Sequence, residues 1–157
     1  MKSISVCKTG ESGYKTKFTV REEGKTFCLT SSKAFHCDVI SIDDCVFEKS
    51  DLRRCDYLLL IPTKHDKVEQ FKISRAIYVE LKGDDVKSAC EQLYNAIDKT
   101  KAQILNVDIV AKVIGTKNFH PNLQSNAYFR KVKTLIRKEI VFHKVHKANR
   151  FTYTETI

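Results

Sequence analysis

Residues 77–83 read Ile-Tyr-Val-Glu-Leu-Lys-Gly, and this stretch decides both the predicted fold and its chemistry. Alternate side chains of a β-strand point to opposite faces, so its polar positions share one face. These positions are Tyr78, Glu80 and Lys82. An acid and a base at the end of an apolar strand are costly to bury without a partner or a function. The stretch therefore predicts an interior strand that ends in a candidate site.

A second apolar strand is predicted upstream, where residues 54–61 read Arg-Cys-Asp-Tyr-Leu-Leu-Leu-Ile. Its only carboxylate is Asp56. If the two strands are neighbours in a hairpin, Asp56 and Glu80 converge on a divalent cation, and Lys82 lies beside them. This arrangement is typical of a metal-dependent phosphodiesterase.

The length and composition indicate one globular domain. A chain of 157 residues and 18.1 kDa fits a single domain over residues 1–157, and 42% hydrophobic with 30% charged residues is ordinary for a globular protein. No apolar run approaches the roughly 20 residues of a membrane helix, and residues 1–7 lack the apolar core of a signal peptide. We expect a cytoplasmic protein without a membrane partner.

The six cysteines contain no Cys-x-x-Cys pair. In a reducing compartment they are most simply small buried hydrophobic residues. A zinc site built from His36, Cys37, Cys45 and Cys55 is the alternative, but these spacings match no familiar ligand pattern. We therefore expect buried thiols.

The positive charge is concentrated in the last third of the chain. The net charge is +9, of which residues 1–100 contribute +1 and residues 101–157 contribute +8. Such asymmetry indicates a polyanionic partner. Nucleic acid is the favoured partner, and an acidic protein or a membrane surface is the alternative.

Hydrophobic periodicity predicts an α/β fold: a mixed β-sheet core flanked by helices, with an N-terminal β-rich extension. The extension is a hairpin, residues 17–21 and 26–30, followed by extended residues 34–48. A polar loop, residues 62–67, joins the Asp56 strand to the Glu80 strand. The remaining predicted elements are a helix over 85–99, a strand over 103–115, a helix over 123–138 and a strand over 140–147.

Residues 45–115 resemble the PD-(D/E)XK nuclease superfamily, which includes many restriction endonucleases. The resemblance is carried by Asp56 at the start of one strand, by Glu80-Leu81-Lys82 at the end of the next, and by the helix and apolar strand that follow. It implies a restriction-endonuclease-like core over 45–115 and a basic C-terminal part over 116–157. By analogy, Asp56 and Glu80 are the two acids and Lys82 is the catalytic lysine.

The chain departs from the family pattern at three places. Cys55 stands where the family has proline, and no clear helix upstream carries a further glutamate. The candidates for a further acid stay open: Glu11, Glu22, Asp43 and Asp44. Gln92 resembles a glutamine that some members place on the helix, but Ala96 replaces the tyrosine of the Gln-x-x-x-Tyr variant.

The resemblance implies Mg²⁺, with Mn²⁺ as a substitute, held by Asp56, Glu80 and the carbonyl of Leu81. Such an ion acidifies a bound water and polarises a phosphate. Lys82 would orient or deprotonate the attacking water. Gln92 would hydrogen-bond a water or a phosphate oxygen. The alternative for Glu80 and Lys82 is a surface ion pair, which stabilises by less than about 1 kcal/mol.

A basic surface in the last third is predicted to contact nucleic-acid phosphates. Its residues are Arg130, Lys133, Arg137, Lys144 and Lys147. A solvated helix face explains the first three of these equally well.

The sequence thus predicts a magnesium-dependent nuclease, with DNA the favoured substrate, acting in restriction, phage defence, repair or recombination. Endonuclease action is favoured over exonuclease action. One alternative is a catalytically inactive nucleic-acid-binding module of the same fold, and another is a protein-interaction domain that uses the basic face. Sequence-specific cutting would need loops, a homodimer or a partner subunit.

Overall fold

The computed structural model describes residues 1–47, 52–63, 73–81, 85–104, 106–118 and 122–157. These residues form strands and helices that confirm the mixed α/β class. The strands are β1 (Gly13–Glu22), β2 (Lys25–Ser41), β3 (Tyr57–Pro62), β4 (Ile73–Glu80), β5 (Asp108–Gly115), β6 (Val141–Lys144) and β7 (Thr152–Thr156). The α-helices are α1 (Val86–Thr100) and α2 (Ala127–Ile136).

The sheet is mixed, and neighbouring strands follow chain order from β1 to β6. The first four strands pair antiparallel, whereas β4, β5 and β6 run parallel to one another. The parallel part arises because α1 and α2 carry the chain back across the sheet between these strands. The carboxyl ends of β4, β5 and β6 therefore lie at one edge of the sheet, which we call the carboxyl edge.

Strand β2 is long enough to belong to two parts of the sheet. Its residues 26–30 pair with β1 on one side and with β7 on the other, and its residues 38–41 pair with β3. The predicted β-rich extension is confirmed, and the hairpin turns at Glu23 and Gly24, whose φ angles are 44° and 76°. Positive φ at both turn positions matches the twist of the flanking strands, and glycine adopts it without strain.

The two faces of the sheet are covered differently. Leu58, Tyr78 and Ala111 belong to a buried cluster that contains the apolar sides of α1 and α2. Leu59 and Ile77, which point to the opposite face, belong to a second cluster without helical residues. That cluster is completed by the N-terminal hairpin and by the region after β6, with side chains of Phe18, Val20, Phe27, Leu29 and Val145.

Several element boundaries differ from the predicted ones. Strand β5 begins at Asp108, because residues 101–103 form a 3₁₀ turn that extends α1. Helix α2 begins only after Asn126, whose side chain accepts a hydrogen bond from the amide of Phe129. The predicted strand over 140–147 is shorter, and β7 was not predicted because its Thr-Tyr-Thr-Glu-Thr sequence has no apolar face of its own. Most of the predicted loop over 62–67 lies outside the described residues.

The prediction of six buried thiols is wrong for two cysteines. Cys7 and Cys45 form a disulfide, although 38 positions separate them in the chain. The amide of Ser41 donates to the carbonyl of Cys7, which brings the N-terminal segment beside the end of β2. Four cysteines are buried thiols as predicted: Cys28, Cys37, Cys55 and Cys90.

No helix in the described parts of the chain is long and apolar enough to cross a membrane.

Candidate active site

Asp56 and Glu80 are brought together by the register of β3 and β4. Tyr57 pairs with Val79 in this antiparallel ladder, so Asp56 and Glu80 occupy the next cross-strand position. Cross-strand partners point to the same face, and here that face is the one covered by the helices. Both side chains are buried, with exposed fractions of 6% for Asp56 and 0% for Glu80. The prediction that the two strands are hairpin neighbours is confirmed.

The backbone after β4 fixes the Asp56 carboxylate. The amide of Leu81 donates to Oδ2 of Asp56 over 2.7 Å. The side chain of Leu81 points the other way and is buried in the second cluster. A buried carboxylate that accepts a backbone amide is held in one orientation. The carbonyl of Leu81 stays a predicted metal ligand, and Lys82 lies outside the described residues.

Helix α1 holds the segment that leads into Asp56. The amide of Cys55 donates to the carbonyl of Gln92 over 3.2 Å, and the side-chain amide of Gln92 donates to the carbonyl of Arg54 over 3.1 Å. One turn later, the side-chain amide of Asn95 donates to the carbonyl of Arg53 over 2.9 Å. Gln92 is therefore placed to position the Asp56 backbone.

The same contacts bear on Cys55, which stands where the predicted PD-(D/E)XK pattern has proline. Proline has no amide hydrogen, so it could not donate to the carbonyl of Gln92. The thiol is fully buried and lies 3.8 Å from the carbonyl oxygen of Tyr57. In this chain the backbone of Cys55 is held by a hydrogen bond to α1, whereas a proline at this position would be restricted by its own ring.

Asp43 is a third carboxylate beside the candidate site, because it lines a small cavity together with Asp56. It lies in a π-helical turn, Ile42–Val46, which is joined to the Asp56 backbone because the amide of Ile42 donates to the carbonyl of Asp56 over 3.0 Å. This cavity of about 20 Å³ is lined by carboxylates and one aromatic ring: Glu22, Asp43, Asp44, Asp56 and Tyr57. We call it the acidic cavity.

The pKa of the buried Cys55 thiol is affected by the carboxylates around it. Burial raises the pKa of the Cys55 thiol well above its usual range, and the negative charges of Glu80, Asp56 and Asp43 raise it further. Three carboxylates therefore act on one buried group. Of the four upstream acids that the sequence left open, Asp43 is the one that shares both the acidic cavity and this electrostatic environment.

A buried guanidinium offsets part of this negative charge. Arg54 is 2% exposed, and its guanidinium lies 4.0 Å above the ring centre of Phe47. Burial lowers the pKa of Arg54, and the nearby carboxylate of Asp43 opposes that shift. An arginine remains protonated under such conditions because its unperturbed pKa is so high. Arg54 is thus a permanent cation behind the acidic cavity.

The candidate metal ligands are two carboxylates, and they do not form a complete set of protein ligands around an ion. Within the described ranges, no group of three or more His, Cys, Asp or Glu side chains is spaced to hold a metal ion. Magnesium commonly binds proteins through one or two carboxylates and takes its other ligands from water and substrate phosphates. The oxygen atoms of Asp56 and Glu80 fit that requirement.

Tyr78 belongs to the core and does not present its hydroxyl to the carboxylates. That hydroxyl is 2.6 Å from the hydroxyl of Thr100, which itself donates to the carbonyl of Ala96. Tyr78 therefore donates to Thr100 at the end of α1. Burial raises the pKa of Tyr78 above its ordinary value.

The predicted basic surface is divided between two edges of the sheet. Lys144 ends β6 and donates to the side chain of Asn118, which follows β5, so it lies at the carboxyl edge with Glu80. Lys147 follows it in a 3₁₀ turn. Arg130 lies one turn into α2 and donates to the carbonyl of Gln124.

The other two basic residues lie toward the opposite edge. Arg137 ends α2 in the left-handed region, and the next residue, Lys138, is paired with Asp108 at the start of β5. Lys133 is paired with Glu139 over 2.5 Å. The structure therefore places Lys144 at the carboxyl edge with Glu80, and it places Arg137 at the opposite edge beside the start of β5.

Comparisons of the chain with models of known protein families, with curated proteins and with solved structures find no match. The resemblance to the PD-(D/E)XK nucleases therefore stays a prediction that depends on the residues themselves.

Proposed function

We propose that this protein is a magnesium-dependent nuclease that hydrolyses phosphodiester bonds, with DNA as the favoured substrate, on a restriction-endonuclease-like core. The observation that carries the proposal is the cross-strand pairing of Asp56 and Glu80 at the end of two buried strands. Buried carboxylates side by side repel each other, so their juxtaposition favours a cation between them.

The surrounding elements agree with this proposal. Strand, strand, helix and strand follow in the order that the resemblance requires, and α1 begins directly after the strand that ends in Glu80. The Asp56 carboxylate is fixed by Leu81, and its backbone is fixed by Gln92 and by Ile42. Catalysis depends on such preorganisation, because misplacement by about 1 Å can cost about 100-fold in rate.

Asp56 and Glu80 would hold the metal ion, and Asp43 would supply the further acid. When bound, magnesium polarises the phosphate and lowers the pKa of a bound water. Lys82 would orient the attacking water and stabilise negative charge on the phosphate. Gln92 would keep the Arg54 carbonyl, and hence Asp56, in place.

The test incubates the purified protein with supercoiled, linear, branched and single-stranded DNA and with RNA, each in Mg²⁺, Mn²⁺ or EDTA. We expect cleavage that requires the divalent ion. Glu80→Gln and Lys82→Ala should each lower the rate by about 100-fold or more, the loss that follows removal of a charge-stabilising or proton-transferring group. Asp43→Asn should give a loss of the same order.

Glu139→Gln is the matched control, because this side chain is 73% exposed and pairs only with Lys133 among the contacts described. Its cleavage rate should equal that of the wild type. Cleavage that persists in EDTA, or that survives Glu80→Gln unchanged, would overturn the proposed mechanism. Tight nucleic-acid binding without cleavage of any substrate would instead favour a non-catalytic binding module.

A further inference from the structure

A second and larger cavity adjoins the acidic cavity on the side of α1. Its volume is about 320 Å³, and the described residues that line it mostly carry charged or amide side chains: Asp43, Arg53, Arg54, Asp85, Ser88 and Gln92. We call it the arginine cavity. Asp43 lines both cavities, so they meet at this residue. A molecule bound at the carboxylates would extend into the arginine cavity if it continued toward α1.

Arg53 is oriented toward this cavity by its neighbours. Its guanidinium donates to the hydroxyl of Ser88 over 3.1 Å, and its carbonyl accepts from Asn95. Both partners lie on α1, so backbone and side chain are held by the same rigid element. A guanidinium offers a planar fork of donors that matches two oxygens of a phosphate. Because Ser88 already restricts its rotamers, little further entropy is lost when a phosphate binds.

The charge of the arginine cavity differs from that of the acidic cavity. Arg53 and Arg54 face Asp43 and Asp85, and Asp85 already accepts hydrogen bonds from the first turn of α1. The acidic cavity, by contrast, is lined by four carboxylates and by no lysine or arginine among the residues that the structure describes. Cation binding is therefore favoured at the carboxylates, and phosphate binding is favoured at the arginines.

The volume also restricts the ligand. A cavity of about 320 Å³ is at the lower end of the range for small-molecule sites, which matches one nucleotide and not a larger unit. Successive phosphates of a strand are joined through a single sugar. A strand whose scissile phosphate lies at Asp56 and Glu80 must therefore place its next phosphate close by.

We propose that the arginine cavity is the subsite for the nucleotide next to the scissile phosphate, and that Arg53 binds the phosphate of this nucleotide. The inference rests on the proposed function, which places the scissile phosphate at the carboxylates. It adds a binding residue that the resemblance does not supply, because neither Arg53 nor its partner Ser88 is part of the motif.

The test compares Arg53→Gln and Arg53→Lys with the wild type by fluorescence anisotropy on a labelled DNA oligonucleotide across a KCl series, in EDTA and again in Mg²⁺. Loss of one phosphate contact should weaken binding about tenfold and should reduce the slope of log affinity against log salt by about one. Arg53→Lys should keep the wild-type slope, because the charge remains, yet bind more weakly, because the fork is lost.

Arg75→Gln is the matched control, since Arg75 pairs with Asp108 at the edge of the sheet opposite to Glu80. It should bind as the wild type does, and thermal melting would verify that each variant is folded. Folded Arg53→Gln with the affinity and slope of Arg75→Gln would overturn the subsite while leaving the nuclease proposal intact. Failure of the wild type to bind or cleave any nucleic acid would overturn the proposed function, and the subsite with it.

Discussion

The amide of Leu81 donates to Oδ2 of Asp56 over 2.7 Å, and this bond joins the start of β3 to the end of β4 at the place where the candidate metal ligands meet. The Asp56 carboxylate therefore has a structural role, as the acceptor of the Leu81 amide, in addition to its proposed role in binding metal. The two roles can be separated by substitution, because an amide side chain keeps an acceptor whereas a methyl group does not.

Asp56→Ala is expected to lower the free energy of unfolding by about 1–3 kcal/mol, because the buried amide of Leu81 loses its acceptor. Asp56→Asn should lower it by less, since the side-chain oxygen can still accept. Urea denaturation measures both. The two variants should be equally inactive in the nuclease assay, so Asp56→Asn with wild-type activity would contradict the assignment of Asp56 as a metal ligand.

Cys55→Pro, which introduces the residue of the predicted PD-(D/E)XK pattern, is expected to destabilise this chain. Proline removes the donor to the carbonyl of Gln92, and the loss should be about 1 kcal/mol or more. Cys55→Ala keeps the amide and serves as the control for loss of the thiol. If urea denaturation found Cys55→Pro as stable as Cys55→Ala, the hydrogen bond to α1 would have no role in holding this segment.

Two lysine–glutamate pairs of equal length should differ in their contribution to stability. Lys112 and Glu155 are 2.5 Å apart with side-chain exposures of 5% and 22%, whereas Lys133 and Glu139 are 2.5 Å apart with exposures of 28% and 73%. Glu155→Gln leaves a buried cation without its partner and should cost about 3 kcal/mol. Glu139→Gln should cost less than about 1 kcal/mol. Equal losses in urea denaturation would contradict the docking of β7 over Lys112.

His143 should make the protein less stable in acid. Burial and the charge of Lys112 lower its pKa from the ordinary value of 6.5, although Glu155 opposes the shift. A group whose pKa is depressed on folding adds stability above its unfolded pKa, and that stability is lost as the pH falls below about 6.5. His143→Gln should flatten this part of the stability curve in urea denaturations from pH 8 to pH 5. An unchanged curve would show that His143 does not titrate differently on folding.

Thiol counting should reveal the disulfide between Cys7 and Cys45. Denatured protein should expose four reactive thiols without a reductant and six after reduction. In the folded state, reaction should be slow, because burial raises the pKa of Cys37 and Cys90 to about 12. The reactive species is the thiolate, so such groups are largely inert near neutral pH. Six thiols in unreduced denatured protein would contradict the disulfide.

The sequence predicted the local elements that depend on short-range periodicity. Three patterns each lie within fewer than twenty consecutive residues. They are the hairpin around Gly24, the alternation of polar and apolar residues from Ile77 to Leu81, and the apolar stripe of α1. The Glu80 strand and α1 were predicted with boundaries that differ by a few residues at most, whereas the second hairpin strand, predicted over 26–30, continues without a break to Ser41. The pairing of Asp56 with Glu80 was also predictable, because one apolar strand begins next to Asp56 and the following apolar strand ends at Glu80.

Other parts of the site were beyond the sequence because they depend on contacts between distant residues. Asp43 could not be favoured over the other three acids from the sequence, because its link to the candidate site is the hydrogen bond from the amide of Ile42 to the carbonyl of Asp56. The contact of the Gln92 side chain with the carbonyl of Arg54 joins residues 38 positions apart, so it was not predictable either. The arginine cavity likewise depends on a contact between distant residues, because it is formed where α1 packs against residues 53 and 54.

The sequence by itself determined most of the strands, the two helices and which strand ends carry charge, because side-chain periodicity and turn chemistry are local. It did not predict β7 or the π-helical turn over Ile42–Val46. Only the tertiary structure decided that Cys7 meets Cys45, that β7 lies parallel to β2, and that Lys144 shares an edge with Glu80 while Arg137 does not. Those outcomes follow from register and chain crossings, which are set by the packing of two hydrophobic clusters on opposite faces of one sheet.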